Sequence, residues 1–293
     1  MTIIAILLAF ALSHFIKDLA HIRRRGWLNS LVLWCNERLS MLPGWPGLTS
    51  FLVLLGLPLV LLVILIIVTN ELSGQVGSFI LSVLVLIYTL GPRSLDADVS
   101  AVVNADTDVE RNQASNHLLD RAAPDDEDQF NAALTEGVFV QALRRWFAII
   151  FWFILLGPVG ALLYRMSDWL VAGEMHLSDG QRQSFWRLRE VLEWPVAQLM
   201  TLGLAIAADF DSVFVAWKQY HNEQGHSLFE GNNGFLLAAA RRVVLTGHAA
   251  HDGFADQLKG PTACVQQGMD LIWRVLGVWL TVLALMLLVG WIA

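Results

Sequence analysis

The sequence predicts an all-α, polytopic membrane protein, and three observations carry that prediction. Hydrophobic residues make up 56% of the 293-residue chain and charged residues 15%, against about a quarter charged in soluble domains. Uncharged runs recur along it at lengths suited to a bilayer, which takes roughly 20 apolar residues. Between those runs the apolar residues fall at helical spacing rather than in alternation.

The first run, 2–16, is short and contains His14. No basic stretch precedes it and no small-residue cleavage site follows, so it reads as a membrane segment rather than a signal peptide. Runs 49–69 and 75–90 are separated by Asn-Glu-Leu-Ser-Gly and should form an antiparallel hairpin. Run 146–165 follows directly on Arg144 and Arg145. Run 195–208 is short and ends at Asp209, and 275–293 is the sixth.

Charge sets the expected orientation, because cytoplasmic loops are enriched in Lys and Arg. The turn before residue 75 has no basic residue and belongs outside. Counting both short runs as crossings then puts most of the 19 basic residues in the cytoplasmic segments 17–48, 91–145 and 209–274. The first of these carries Ile22, Leu28, Leu31, Leu33 and Trp34 among arginines, the pattern of an amphipathic helix on the inner leaflet. The second is acidic yet has helical periodicity, and Pro124 should open a helix whose Asp125, Asp126, Glu127 and Asp128 complement the N-terminal dipole. The third holds Arg241, Arg242 and Lys259, so segments 91–145 and 209–270 are expected to pack together by opposite charge. No internal repeat is apparent.

Few residues point to chemistry. Cys35 and Cys264 are far apart and in no ligand spacing, which predicts two inert thiols. The net charge of −7 and the lack of a basic tract exclude nucleic acid as the expected partner. His248, His251 and Asp252 sit three and four residues apart and would share a helix face suited to one divalent metal; a surface loop between Gly247 and Gly253 is the competing reading. No other cofactor is expected. Gly231 to Gly234 is a turn, since neither a lysine nor a strand accompanies it. Asp209 and Asp211 fall at a membrane interface. Gly157, Pro158 and Gly160 break run 146–165, as a packing notch for another helix or as a hinge. No span interior carries several ionisable groups, so a transporter ranks third.

The stretch Leu134 to Leu170, with Leu192–Glu193–Trp194–Pro195 beyond it, resembles the AmpE family and its larger relatives, the CobD/CbiB proteins of cobalamin synthesis. The relatives' signature runs Glu-Ser-Val-Ala-Glu-Asn-x-x-Asp-Gly, an apolar span with Phe-Trp, then Gly-x-Pro-Gly-Ala-Leu-x-Tyr-Arg. It matches here at Glu136, Val138, Phe151, Trp152, Gly157, Gly160, Ala161, Leu162, Tyr164 and Arg165. The second Glu falls on Val140, the Asn on Gln141 and the Asp on Arg144. The relatives' Gly-Asp-Pro and Pro-His-Pro near the N-terminus are absent.

The resemblance implies the relatives' fold and a multi-pass location in a bacterial inner membrane. The AmpE likeness implies a non-catalytic signalling or accessory role linked to β-lactamase induction and cell-wall recycling, with the bilayer, a signalling protein or a second copy as partners. The alternative it implies is a membrane amide-forming enzyme of the CobD/CbiB kind. In the relatives three carboxylates four residues apart would share one helix face, which suits a magnesium ion holding ATP phosphates. Here that face reads Glu136, Val140, Arg144, and Glu136 is expected to pair with Arg144 or Arg145. Gln141, Arg144 and Arg145, with Tyr164 and Arg165, remain as a candidate anion-binding face.

Overall fold

The computed structural model describes residues 2–15, 26–39, 45, 48–90, 94–124, 126–171, 175–223, 233–245 and 262–289, and among them there is no strand. The helices are α1 (Thr2–Phe15), α2 (Gly26–Leu39), α3 (Leu48–Thr89), α4 (Leu95–Val103), α5 (Asp108–Leu119) and α6 (Glu127–Ala142). After a π-helical turn at Leu143–Phe147 come α7 (Ala148–Val171), α8 (Asp179–Ala207), α9 (Phe210–Glu223), α10 (Gly234–Leu245) and α11 (Ala263–Leu288). Among the described residues three stretches are long and apolar enough to cross a membrane: Thr49–Thr89, Gln129–Val171 and Ala263–Leu288. The chain divides into two compact units, one of residues 1–92, 148–192 and 292–293, the other of 93–147 and 193–291.

The first unit is organised by two helical reversals. A straight helix of 42 residues would run about 63 Å, but α3 doubles back at Gly74, where φ is 63° and ψ −155°. That backbone region is open essentially to glycine alone. The reversal brings residues eight apart into contact: Ser78 Oγ donates to Asn70 Oδ1 at 3.3 Å, and a Cβ on Gly77 would lie 3.0 Å from Cγ2 of Thr69. In a continuous helix residues that far apart are about 12 Å distant. Helix α7 repeats the device at Gly157, with φ 64° and ψ −152°. A Cβ on Gly160 would lie 3.0 Å from the carbonyl carbon of Trp152. Run 146–165 is therefore a hairpin and not one uninterrupted helix, and Gly160 makes room for its own chain rather than for another helix. The break is not single either. Gly74-Gln-Val-Gly77 and Gly157-Pro-Val-Gly160 form a short internal repeat that the sequence reading missed.

The two hairpins pack on each other, with α1 and α2 against α3. Leu28, Val32, Leu54, Leu62, Leu162, Met166, Trp169 and Phe185 form one buried core. Trp152 Nε1 donates to the carbonyl of Leu192 at 3.1 Å, tying the outgoing arm of α7 to α8.

The second unit is built from capped helices. Ser94, Thr107 and Asp126 cap α4, α5 and α6, each side chain accepting from the backbone N–H three residues on, which satisfies donors left open at a helix start. Asp126 is thus the cap, two residues beyond the helix opening expected at Pro124. Helix α6 packs on α5, α10 and α11, and α9 folds along α10. Leu134, Val138, Phe139, Leu143, Phe147, Leu236, Ala240, Val265 and Ile272 are buried among them. Segments 91–145 and 209–270 thus meet through α6 and α10, although the second, with seven acids to four bases, is itself net negative.

Candidate functional site

The signature-bearing stretch of the second unit runs from Glu136 on α6 into the π-helical turn Leu143–Phe147. A π turn inserts a residue into the helical winding and is found frequently at functional sites. Leu143, Trp146 and Phe147 are buried, the last edge-on to Trp279 at 5.0 Å. Arg144 and Arg145, neighbours in sequence, reach opposite carboxylates.

Arg144 Nε donates to Glu193 Oε1 at 3.0 Å, and the other oxygen of Glu193 accepts from Asn233 Nδ2 at 2.8 Å. The Glu193 side chain is 2% exposed and that of Arg144 27%, so this carboxylate is buried and its charge must be met locally. Arg145 Nη1 donates to Asp98 Oδ2 at 2.6 Å and its Nε to Gln141 Oε1 at 2.9 Å. Gln141 in turn donates to the carbonyl of Leu118 and to Asp120 Oδ2, at 3.0 and 2.8 Å. Asp120 holds its place as the left-handed cap of α5, φ 52°. Asn233 Oδ1 is buried and accepts no hydrogen bond from the described residues.

Glu136 pairs elsewhere. Its Oε1 lies 3.0 Å from Arg241 Nε on α10, which corrects the expected pairing with Arg144 or Arg145. Residues 136 and 144 meet residues 241 and, through Glu193, 233, so α10 runs antiparallel to α6. The face carries four acids and three arginines: Glu136, Glu193 and Asp98 each meet an arginine, and Asp120 accepts from the Gln141 amide. It does not fit a divalent cation, which takes several free oxygen ligands. Among the described residues no three His, Cys, Asp or Glu side chains are grouped to hold a metal. His248, His251 and Asp252 lie outside the described residues.

Tyr164 and Arg165 belong to the first unit. Both are buried. Arg165 donates to the carbonyl of Thr89 and to Asp168 Oδ2, and its guanidinium lies over the Trp169 ring at 5.9 Å. That pins the returning arm of α7 to the end of α3. The candidate face is therefore split: Glu136, Gln141, Arg144 and Arg145 share the second unit's network, and Tyr164 and Arg165 serve the first unit's core. Sequence reasoning missed Glu193, Asp98, Asp120 and Asn233 as site residues, and it named Arg241 only for packing between segments, not as the partner of Glu136. Glu193, at the edge of an apolar run, was the one carrying a legible signal.

The pattern describing the CobD/Cbib protein family matches residues 6–268. The cobalamin biosynthesis protein CobD of Stutzerimonas stutzeri (strain A1501) is 29% identical over 180 residues, which cover 57% of this chain and 57% of that protein. No solved structure matches.

Proposed function

Because the chain belongs to the CobD/CbiB family, we propose that it serves that family's membrane-bound amide-forming chemistry in cobalamin synthesis. The observation supporting this is the extent of the family match, 6–268, which takes in both glycine hairpins and the π-turn network. In this chain the substrate-facing chemistry passes from carboxylates to Arg144 and Arg145, donors suited to a carboxylate or phosphate group. The test is complementation of a strain that lacks its own CobD and grows on cobalamin it makes. Growth restored by this protein is the expected result, and absence of growth at verified membrane expression overturns it.

A second reading, the non-catalytic signalling role, draws on one specific observation. Val140 and Arg144 stand where two acids would sit, and Glu136 is held by Arg241. On that reading complementation fails, the purified protein shows no magnesium-dependent ATP turnover, and deleting it changes β-lactamase induction.

A further inference from the structure

We infer that Glu193–Trp217, the second half of α8 with the start of α9, is an interfacial corner that lies in the headgroup–acyl boundary of the bilayer without crossing it. Both ends of the apolar run are tied to the same helical layer. At its start Glu193 bonds Arg144, at the end of α6, and Asn233, at the head of α10. Beyond its end, α9 begins at Phe210, with Asp209 Oδ2 capping the Ser212 N–H at 2.9 Å. Helix α9 then folds along α10: the Tyr220 ring fills the space beside Gly234, and His221 lies 5.9 Å from Phe235. Helix α10 in turn bonds α6 through Arg241 and Glu136. A segment that leaves and rejoins one layer ends on the side where it started.

Length agrees. The uncharged run 194–208 rises about 22 Å, short of the roughly 30 Å hydrocarbon core. Its outward edge is nonetheless apolar. Leu199, Leu202 and Ile206 are exposed, and Val196, Ala197, Met200 and Leu204 face inward. Gly203 admits Val275 and Trp279 to 3.0 and 3.3 Å of where its Cβ would be. That seats the run against the middle of α11, a helix apolar enough to span, so its free edge meets lipid. The stripe then continues as an aromatic ladder on α9. Phe210 and Phe214 are exposed and stacked at 6.0 Å, with Phe214 and Trp217 at 6.2 Å, the residue types that settle at membrane interfaces. Gln219, also exposed, lies about 140° round the helix from Phe214.

The test uses nitroxide labels at Leu202→Cys, Phe214→Cys and Gln219→Cys, with Cys35 and Cys264 replaced by Ala. The full chain is reconstituted in vesicles of phosphatidylethanolamine and phosphatidylglycerol. Labels at 202 and 214 should collide several-fold more with oxygen than with a water-soluble nickel chelate, and the label at 219 the reverse. An impermeant maleimide should reach Gln219→Cys and Asn112→Cys from the same side. Nickel contact at 202 would place the run in water and overturn the proposal. Low collision with both reagents would place it against a second protein surface and also overturn it, as would maleimide labelling from opposite sides. Ile206→Cys replaces Leu202→Cys where the latter does not fold.

Discussion

Two ion pairs in the second unit look alike in distance and differ in consequence. Glu193–Arg144 and Glu136–Arg241 both measure 3.0 Å. Removing the carboxylate of Glu193 strands a partly buried guanidinium and the Asn233 amide, a loss of about 3 kcal/mol, the lower end for a buried pair. Arg241 is 48% exposed, so its pair contributes about 0–1 kcal/mol after solvent screening. Glu193→Ala is therefore expected to lower the thermal midpoint in detergent well beyond Glu136→Ala; equal shifts would mean Glu193 is solvated. Cys35 offers a second check. Its thiol is buried in the first unit's core, and burial pushes its pKa up, so maleimide should modify it slowly at neutral pH until the protein is denatured.

At the scale of elements, the reversals at Gly74 and Gly157 set where α3 and α7 turn. A side chain there meets a backbone region costing about 1–3 kcal/mol for any residue but glycine. Gly160→Ala adds a clash with the Trp152 backbone, which is fixed within its own helix and cannot yield. Gly74→Ala, Gly157→Ala and Gly160→Ala should each reduce folded yield and thermal stability. Gly277→Ala, with nothing within 4 Å of the new carbon, should not. A Gly157→Ala protein as stable as the parent would refute the hairpin at 157.

Over the whole molecule, opposite charge is a minor source of cohesion in the second unit. The two segments meet through an apolar interface that buries Leu236, Ala240 and Val138, and Glu136–Arg241 is a partly exposed pair between them. Raising salt to about 1 M shrinks the screening length to about 3 Å, yet the buried Glu193 and Asp98 contacts are largely shielded from it. The thermal midpoint should therefore change little with salt. A steep fall would show that long-range charge attraction holds the segments together.

The helical class, the acidic loop 91–145 and the first hairpin were all legible in the sequence, because apolar periodicity and charge runs are local quantities. The Gly-Pro-Val-Gly break was legible too, but not that it reverses the chain. A glycine permits φ near +64° without requiring it, and packing of α7 against α3 selects it. The reversal at Gly74 was expected from the turn between two apolar runs, but not that its glycine pattern repeats at Gly157. Partner choice among charges was beyond reach. Spacing of four placed Glu136 and Arg144 on one face, but the π turn changes the winding after Leu143. The carboxylate that meets Arg144 then comes from residue 193, 49 positions away. Sequence determined which residues carry charge and which seek lipid. Tertiary structure decided which charges meet, since a buried ion takes whichever partner packing delivers within hydrogen-bond reach.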